Sequence, residues 1–526
     1  MQPEKIDINL WKQDIPEFVR KTADFFAGSL SKIEYKGISG YYGSYAQRDG
    51  KTSMLRLRMG AGRVTLPKLA FTAAMIRRYD IRMIHFTTCQ NIQLHNLSGK
   101  TAGEIMEQAL DAGIVTIGGG GDYPRNVMCS PLSGAEEGEY FDVMPYAEAV
   151  SDYLMHFIKK KKLPRKLKVG FSSSPANLTH ATFRDLGFAA RPDGKFDVYS
   201  AGGLGNNPRL GVKMAEAVQP EKLLYYVKAM WLTFSRYGNY TNRAKARTRY
   251  MQESFGSPEA YLDAYNQVLQ EVMVSGENLD LRVSAGETSK RGEHEFTDFR
   301  AVPQKQRGLY AVNYHPAGGV PSVENFLKLA DYLQTVPEAE IRMSPDESLY
   351  VINLTASEAA RVIALTPDSA RSKFAESVAC IGSEICQQGM GDSQKLLREC
   401  FRVMEGEYAA CSALPQIYIS GCPSSCGTHQ TGSIGFRGAV RVINKQPRPA
   451  FNLYVSGCAA EGRERFAEDL GVLLAEDIPY FLLDTGRCLA AAGQKFDEWY
   501  AANPRLIRDI ARPYMDKITA PANPAK

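Results

Sequence analysis

The chain has no apolar run approaching the ~18–20 residues that a membrane-spanning helix needs, which argues against an integral membrane protein. It also lacks a strong excess of either charge: 63 Lys and Arg stand against 58 Asp and Glu, and the resulting +5 is too small to imply a nucleic-acid partner. No P-loop, dinucleotide fingerprint, serine elbow or metalloprotease signature occurs, so neither a bound flavin nor a bound nicotinamide is expected. The 45 glycines follow no collagen period. The first residues, MQPEKIDINLWKQDIPEF, have no charged-then-apolar signal architecture, and a cytoplasmic location is the expectation. With 44% hydrophobic and 23% charged residues the composition is that of a globular chain. A length of 526 residues gives a prior of about three domains or one internal duplication.

Ten cysteines are present, and they are unevenly placed. Cys89 and Cys129 lie in the first third, and the other eight begin at Cys380. Cys380 and Cys386 form one pair; Cys422 and Cys426, in Gly-Cys-Pro-Ser-Ser-Cys-Gly, form another. Four thiolates suit a soft centre, either tetrahedral zinc or an iron–sulfur cluster. The five-residue gap in the first pair is wide for a zinc knuckle, and Gly421, Pro423 and Gly427 make a tight loop that could aim both sulfurs one way. Cys400 falls in an amphipathic helix and reads as a core thiol; Cys411, Cys458 and Cys488 lack paired spacing and read as structural.

A shift of 257 positions carries 55–97 onto 312–354 without a gap. Each copy shows an alternating strand, a turn at Gly62 or Gly319, an amphipathic helix and two further strand-like stretches, an α+β order. The first copy carries Arg56 and Arg58 where the second has Asn313 and His315, so one active centre on a duplicated scaffold is expected. Beyond the first copy, 147–162 reads as a helix with a basic end, and Lys166 and Lys168 begin an alternating strand with both lysines on one face. A long helical region is expected to run to Tyr250 with Arg243, Lys245, Arg247 and Arg249, and the tail 520–526 to be frayed. Arg56, Arg58, Arg125, Lys166 and Lys168 are embedded among apolar residues and could converge on an anion. The loops at Gly202, Gly203 and Gly205 and at 118–121 read as tight or flexible turns.

These features together resemble the sirohaem- and [4Fe-4S]-containing sulfite/nitrite reductases of the ferredoxin-dependent type, over roughly 35–513. The resemblance implies a three-domain α+β architecture with pseudo-two-fold duplication and mixed sheets covered by helices. Its parts would be a ferredoxin-like half-domain at 1–120, a sirohaem-binding domain at 121–295, a second half-domain at 296–370 packing on the first, and a cluster- and sirohaem-binding domain at 371–526. It implies cluster ligation by Cys380, Cys386, Cys422 and Cys426, with Cys426 also bridging to the sirohaem iron. Arg56, Arg125, Lys166 and Lys168 would hold the oxyanion, and Thr87, Gln90, Gln93, Gly202, Gly203 and Arg243 would contact the macrocycle. The implied activity is six-electron reduction of sulfite to sulfide, nitrite to ammonia, or both, with electrons from ferredoxin or a partner flavoprotein. Lys168 favours sulfite, because nitrite-reducing relatives usually carry asparagine there. The alternatives are nitrite as the main substrate or a corrin-pathway monooxygenase relative. Cys89 replaces a family arginine that contacts a sirohaem carboxylate, and Ser424 replaces a common asparagine.

Overall fold

The computed structural model describes residues 7–519 except 285 and 287; the tail 520–526 lies outside the described residues. Its first antiparallel sheet orders Ser44–Ala46, Ser53–Leu57, Ile92–Leu97 and Ile84–Phe86 side by side. Tyr310–Tyr314 and Leu349–Leu354 recur 257 positions after Ser53–Leu57 and Ile92–Leu97, as the centre of a second such sheet. The duplication reaches the backbone. Left-handed residues pair at the same shift: Ala61 with Gly318, Gly62 with Gly319, Gln90 with Glu347, and Asn96 with Asn353. Asn96 N–H donates to Gln47 Oε1 at 3.0 Å, and Asn353 N–H to Gln304 Oε1 at 2.7 Å, the same lock in each copy.

The copies form one body. Arg63–Val64 of the first pairs with Glu340–Met343 of the second and completes its sheet. A Cβ on Gly62 would lie 3.1 Å from Met343 O, and one on Gly319 would lie 2.7 Å from Phe86 O, so each copy brings a left-handed glycine onto the other's strand. Leu55, Leu57, Phe86 and Leu94 share a core with Val312, Tyr314, Phe326 and Leu349. At about 1.5–3 kcal/mol for each fully buried large apolar side chain, this shared core is what prevents the copies from separating.

Each half-domain leads into a five-stranded mixed sheet of the same topology. One runs Met128–Cys129, Val169–Ser172, Leu186–Ala190, Phe196–Ser200 and Val212–Val218. The other runs Val378–Ala379, Ile417–Ser420, Ile434–Ile443, Gln446–Val455 and Glu468–Leu474. In both, the first three strands are parallel and the last two are antiparallel additions. Helices Met144–Met155, Leu223–Tyr237 and Pro258–Met273 cover the first sheet; Ser393–Val403, Ile478–Ala492 and Leu506–Thr519 cover the second.

Three local expectations are corrected. The helix expected over 147–162 is Met144–Met155, entered at Pro145; 156–160, with Lys159 and Lys160, forms turns, and Lys161 and Lys162 lie in irregular chain. The helical region expected to reach Tyr250 stops at Tyr237, and Arg243 lies in a 3-10 turn whose entry is fixed by the Asn239 and Asn242 side chains. Regular strand begins at Val169 rather than Lys166, although Arg125 N–H already donates to Leu167 O at 2.8 Å.

Candidate functional site

The 118–121 loop, expected only to be flexible, is a packed acceptor for two arginines. Arg56 and Arg125 both donate through Nη1 to Gly119 O, Arg125 at 2.8 Å, and Arg125 Nη2 donates to Gly121 O at 3.0 Å. Gly121 N–H donates to Tyr45 Oη at 2.7 Å. A Cβ on Gly120 would lie 2.5 Å from Gly40 O, so only glycine lets these segments meet. Burial works to raise the Tyr45 phenol pKa, but Arg125, the Gly121 N–H and Arg56 outweigh it and hold it below its ordinary value. Arg58 takes a supporting place: it donates to Pro124 O and, at 2.7 Å, to Arg125 O, and burial with Arg125 nearby brings its pKa down to about 9.

Lys166 and Lys168 enter from the neighbouring segment. Asp185, a fully enclosed carboxylate, accepts from Lys168 N–H at 2.8 Å, from Arg247 Nη2 at 2.9 and 3.0 Å, and from Thr248 Oγ1. Burial, Lys168, Arg247 and Arg125 push the Lys166 ammonium well below its ordinary pKa. Cys89 holds the Lys168 pKa up, while burial, Arg184 and Arg247 bring it down to a net lowering. For Cys89 itself burial raises the thiol, but Lys168, Arg184 and Arg56 reverse this and bring it to about 6. The departure from the family arginine therefore places a thiolate among cations.

Gly203 and Gly205, at φ of 153° and 113°, adopt backbone that favours glycine. A Cβ on Gly205 would lie 3.2 Å from Arg249 Nη2 and 3.7 Å from Pro423 O, so this loop lies between an arginine and the second cysteine pair. Gln430 locks it there with two 2.9 Å bonds to the Gly205 backbone. Gly202 is a packing glycine, as its Cβ would meet Phe183 backbone at 2.6 Å.

Strand Ile417–Ser420 leads into the loop with Cys422 and Cys426, the mate of the loop after Val169–Ser172 in the first sheet. Asn177 and Ser425 are left-handed at matching places. Cys422 and Cys426 thus stand where the other half has Ser174 and Leu178: one loop architecture with thiols on one copy alone. Gly421 N–H donates to Cys380 Sγ at 3.2 Å, and Ser393 Oγ lies 3.3 Å from the same sulfur. Burial and Cys426 push the Cys380 thiol up to about 12. Cys426 is exposed to solvent, yet the protein packed around its sulfur pushes that thiol up as well, with Lys166 opposing and Cys422 and Cys386 adding to the rise. All four thiols are free. Among the described residues no three His, Cys, Asp or Glu groups form a site for a single metal ion, yet the four thiols are near enough to act on one another, Cys426 on Cys380 and both Cys422 and Cys386 on Cys426. Arg48 of the first half-domain donates to Gly389 O at 2.8 Å, and Thr88 Oγ1 to Cys426 O at 2.8 Å, which ties both cysteine loops to the anion side.

The other sequence candidates divide. Gln93 faces Arg56. Gln90 is fully buried, with its amide engaged by Cys129 N–H and O and by Met343 O, so it locks the scaffold and has no amide group left for a ligand. Thr87 Oγ1 accepts from Asn91 N–H at 3.1 Å. Arg243 is largely exposed and ion-paired to Asp122 at 2.8 Å. Sequence reasoning named Arg247 and Arg249 only as part of a basic helical region, and it missed Asp185, Arg184 and His85; an acid inside the apolar run TFRDLGF was the available signal for Asp185.

The anion side has more cation than its acids can match. Arg249, 5% exposed, leaves Nε and Nη1 without partners, and Arg247 Nε and Arg125 Nε are also buried and unpartnered. Buried charged N–H groups call for acceptors that the chain does not provide. A polycarboxylate macrocycle and an oxyanion suit that donor set, and four convergent thiols suit an iron–sulfur cluster.

A duplicated α+β scaffold with one basic face and one thiol-bearing loop is the class that fold and site define. Residues 45–112 match the model of the nitrite/sulfite reductase ferredoxin-like half domain, and 120–265 that of the nitrite and sulphite reductase 4Fe-4S domain. Over these two stretches the chain matches the nitrite and sulphite reductase family. The second match covers the basic sheet; the cysteine pairs lie on its mate. The chain is 26% identical to a ferredoxin–nitrite reductase of Synechococcus elongatus, covering 81% of this chain and 84% of that one. It is 25% identical to an assimilatory ferredoxin-dependent nitrite reductase of Haloferax mediterranei (91% and 88%) and to a sulfite reductase [ferredoxin] of Mycolicibacterium paratuberculosis (78% and 77%). The solved structure of the Mycobacterium tuberculosis NirA protein superposes with a TM-score of 0.77 at 23% identity, covering 93% of this chain and 94% of that one, which shows the shared fold. No helix among the described residues is long and apolar enough to cross a membrane.

Proposed function

We propose that this chain reduces sulfite, nitrite or both by six electrons at a sirohaem and a [4Fe-4S] cluster, with the electrons donated by ferredoxin. The observation that carries this reading is the meeting of Arg125, Lys166, Lys168 and Arg247 with Cys426: each of these cations acts electrostatically on another or on that thiol. Cys380, Cys386, Cys422 and Cys426 would hold the cluster, and Arg247, Arg249 and Arg184 would meet the macrocycle's carboxylates. When bound, the two groups supply the electron transfer that no side chain can perform. The chain's own part is electrostatic and protonic. Arg56 and Arg125, anchored by the same carbonyl, present guanidinium N–H groups to an oxyanion, and the two lysines add charge that strengthens as oxygen leaves. Lys166, with its pKa pushed well below that of an ordinary lysine, gives up a proton from Nζ more readily than an ordinary lysine does.

The lysine pair supports sulfite. Cys89 supports nitrite as a second substrate, because a thiolate beside Lys168 offsets the extra charge that a dianion would need. Anaerobic kinetics with reduced ferredoxin, sulfite and nitrite side by side, together with an absorption spectrum, tests the proposal. Sirohaem bands and turnover of either anion are expected, with both lost in Cys426→Ser. Cluster absorbance without sirohaem would favour the oxygenase alternative, and a colourless zinc protein would refute both.

A further inference from the structure

Three strands lay Arg56, Gln93 and His85 side by side: Gln93 is the register partner of Arg56 on one neighbour and of His85 on the other. The hydrogen bonds along this row have a fixed sense, set by Arg56, which can only donate. Its Nη2 and Nε lie 2.7 and 3.2 Å from the Gln93 amide atom that faces them; two donors cannot face an NH2, so that atom is assigned as Oε1 and accepts from both. Gln93 Nε2 is then committed to donating, and it meets His85 Nδ1 at 3.2 Å. His85 must therefore carry its proton on Nε2, which faces Glu347 Oε1 of the second copy at 3.8 Å. Glu347 Oε2 accepts from the N–H of Ala379, the residue before Cys380, at 2.9 Å. His85 and Gln93 are 4% and 6% exposed, so water cannot substitute for a missing partner. Burial brings the His85 pKa down to about 4, which keeps the ring neutral.

We infer that His85 is a positioning residue for Arg56: its bare Nδ1 accepts from the Gln93 NH2 and so holds fixed the amide whose oxygen receives the guanidinium. A ring protonated on both nitrogens, or no acceptor at that place, would leave that NH2 without a partner and free the amide to shift, and the guanidinium would lose its aim. The device belongs to one copy only. At the matching places of the second copy stand Asn313, Tyr350 and Arg342, which cannot form the same row. Among the described residues the other side-chain bond of Arg56, to Gly119 O, holds one nitrogen and leaves the plane free to turn. The inference rests on the reading of Arg56 as a substrate contact.

The test uses the full-chain holoprotein, with the Kd for sulfite from calorimetry and kcat and KM from anaerobic turnover. His85→Leu should raise Kd and KM about tenfold, the value of one hydrogen bond to a charged group, with kcat held within about twofold. His85→Asn, whose Oδ1 replaces the Nδ1 acceptor, should recover most of that loss. Both variants lose the ring, so a role in packing alone would impair them alike; that result, or a parental Kd in His85→Leu, would overturn the inference. Should His85→Leu fail to fold, Gln93→Met removes the same link from its middle, and a parental Kd there would likewise overturn it. Absence of sulfite and nitrite binding by the unsubstituted protein would instead strike the oxyanion reading itself, and the inference with it.

Discussion

Cys89→Ser isolates one charge inside the anion site. Lys168, Arg184 and Arg56 bring the Cys89 thiol from an ordinary 9.0 to about 6, equivalent to about 4 kcal/mol of net attraction at 1.36 kcal/mol for each pH unit. At pH 8 the parent is almost wholly thiolate, and serine cannot ionise. Two consequences follow with opposite signs. A pKa depressed by folding contributes stability that is fully present above pH 9 and is lost as pH falls through about 6. The serine variant should therefore melt below the parent at pH 8, and the two should converge by about pH 5.5. Anion binding should move the other way. For an assumed separation of about 6 Å, a thiolate would repel a unit charge by about 3 kcal/mol at an effective dielectric of about 20, and a dianion by twice that. Even with two-thirds of this screened, sulfite binding at pH 8 should tighten about tenfold or more, and nitrite binding by a smaller factor. Calorimetric titration of both variants with both anions gives the ratio directly. An unchanged sulfite-to-nitrite ratio, or a melting gap that is constant between pH 5.5 and 8, would refute the reasoning.

Other substitutions probe the supports. Asp185→Asn leaves Arg247 enclosed without its counter-charge and sets an NH2 group against a donor, so stability should fall by about 3–5 kcal/mol, read by thermal or denaturant unfolding, and the KM for the anion should rise as Lys168 loses its backbone anchor. Equal stability would show that Asp185 is not the anchor. Glu347 is held protonated by burial, with its pKa well above the ordinary range. Its unfolded form releases a proton above pH ~4.3, so stability from this group is fully present below that pH and is lost as pH rises toward the folded value. Glu347→Gln removes this loss and copies Gln90 of the first repeat; the variant should match the parent near pH 5 and exceed it at pH 8 in unfolding midpoint, and a gap that does not grow with pH would contradict the assignment.

The duplication was legible because it is written in local rules: a left-handed position asks for Gly or Asn, a strand for alternation, and both recur at one shift. The cysteine pairs were legible because Gly421 and Gly427 enclose two thiols in one short loop. The glycine loop 118–121 was not legible as a site element. Its carbonyls acquire their task only when strands from two other segments bring Arg56 and Arg125 to Gly119. Gln90 and Arg58 misled for the same reason. Amides and guanidiniums look alike in sequence, whether they face a ligand or, as here, the backbone of Met343 and Arg125.

By itself the sequence determined the α+β class, the pseudo-repeat, the four-thiol motif and the presence of embedded cations, because each depends on residue type and spacing within one stretch of chain. Only the tertiary structure decided which cations share a space, that Cys89 lies among them with a lowered pKa, that Asp185 anchors one wall, and that Arg56, Gln93 and His85 stand in one hydrogen-bonded row. Those facts depend on distances between residues far apart in the chain and on how much water burial removes, and neither is encoded in local spacing.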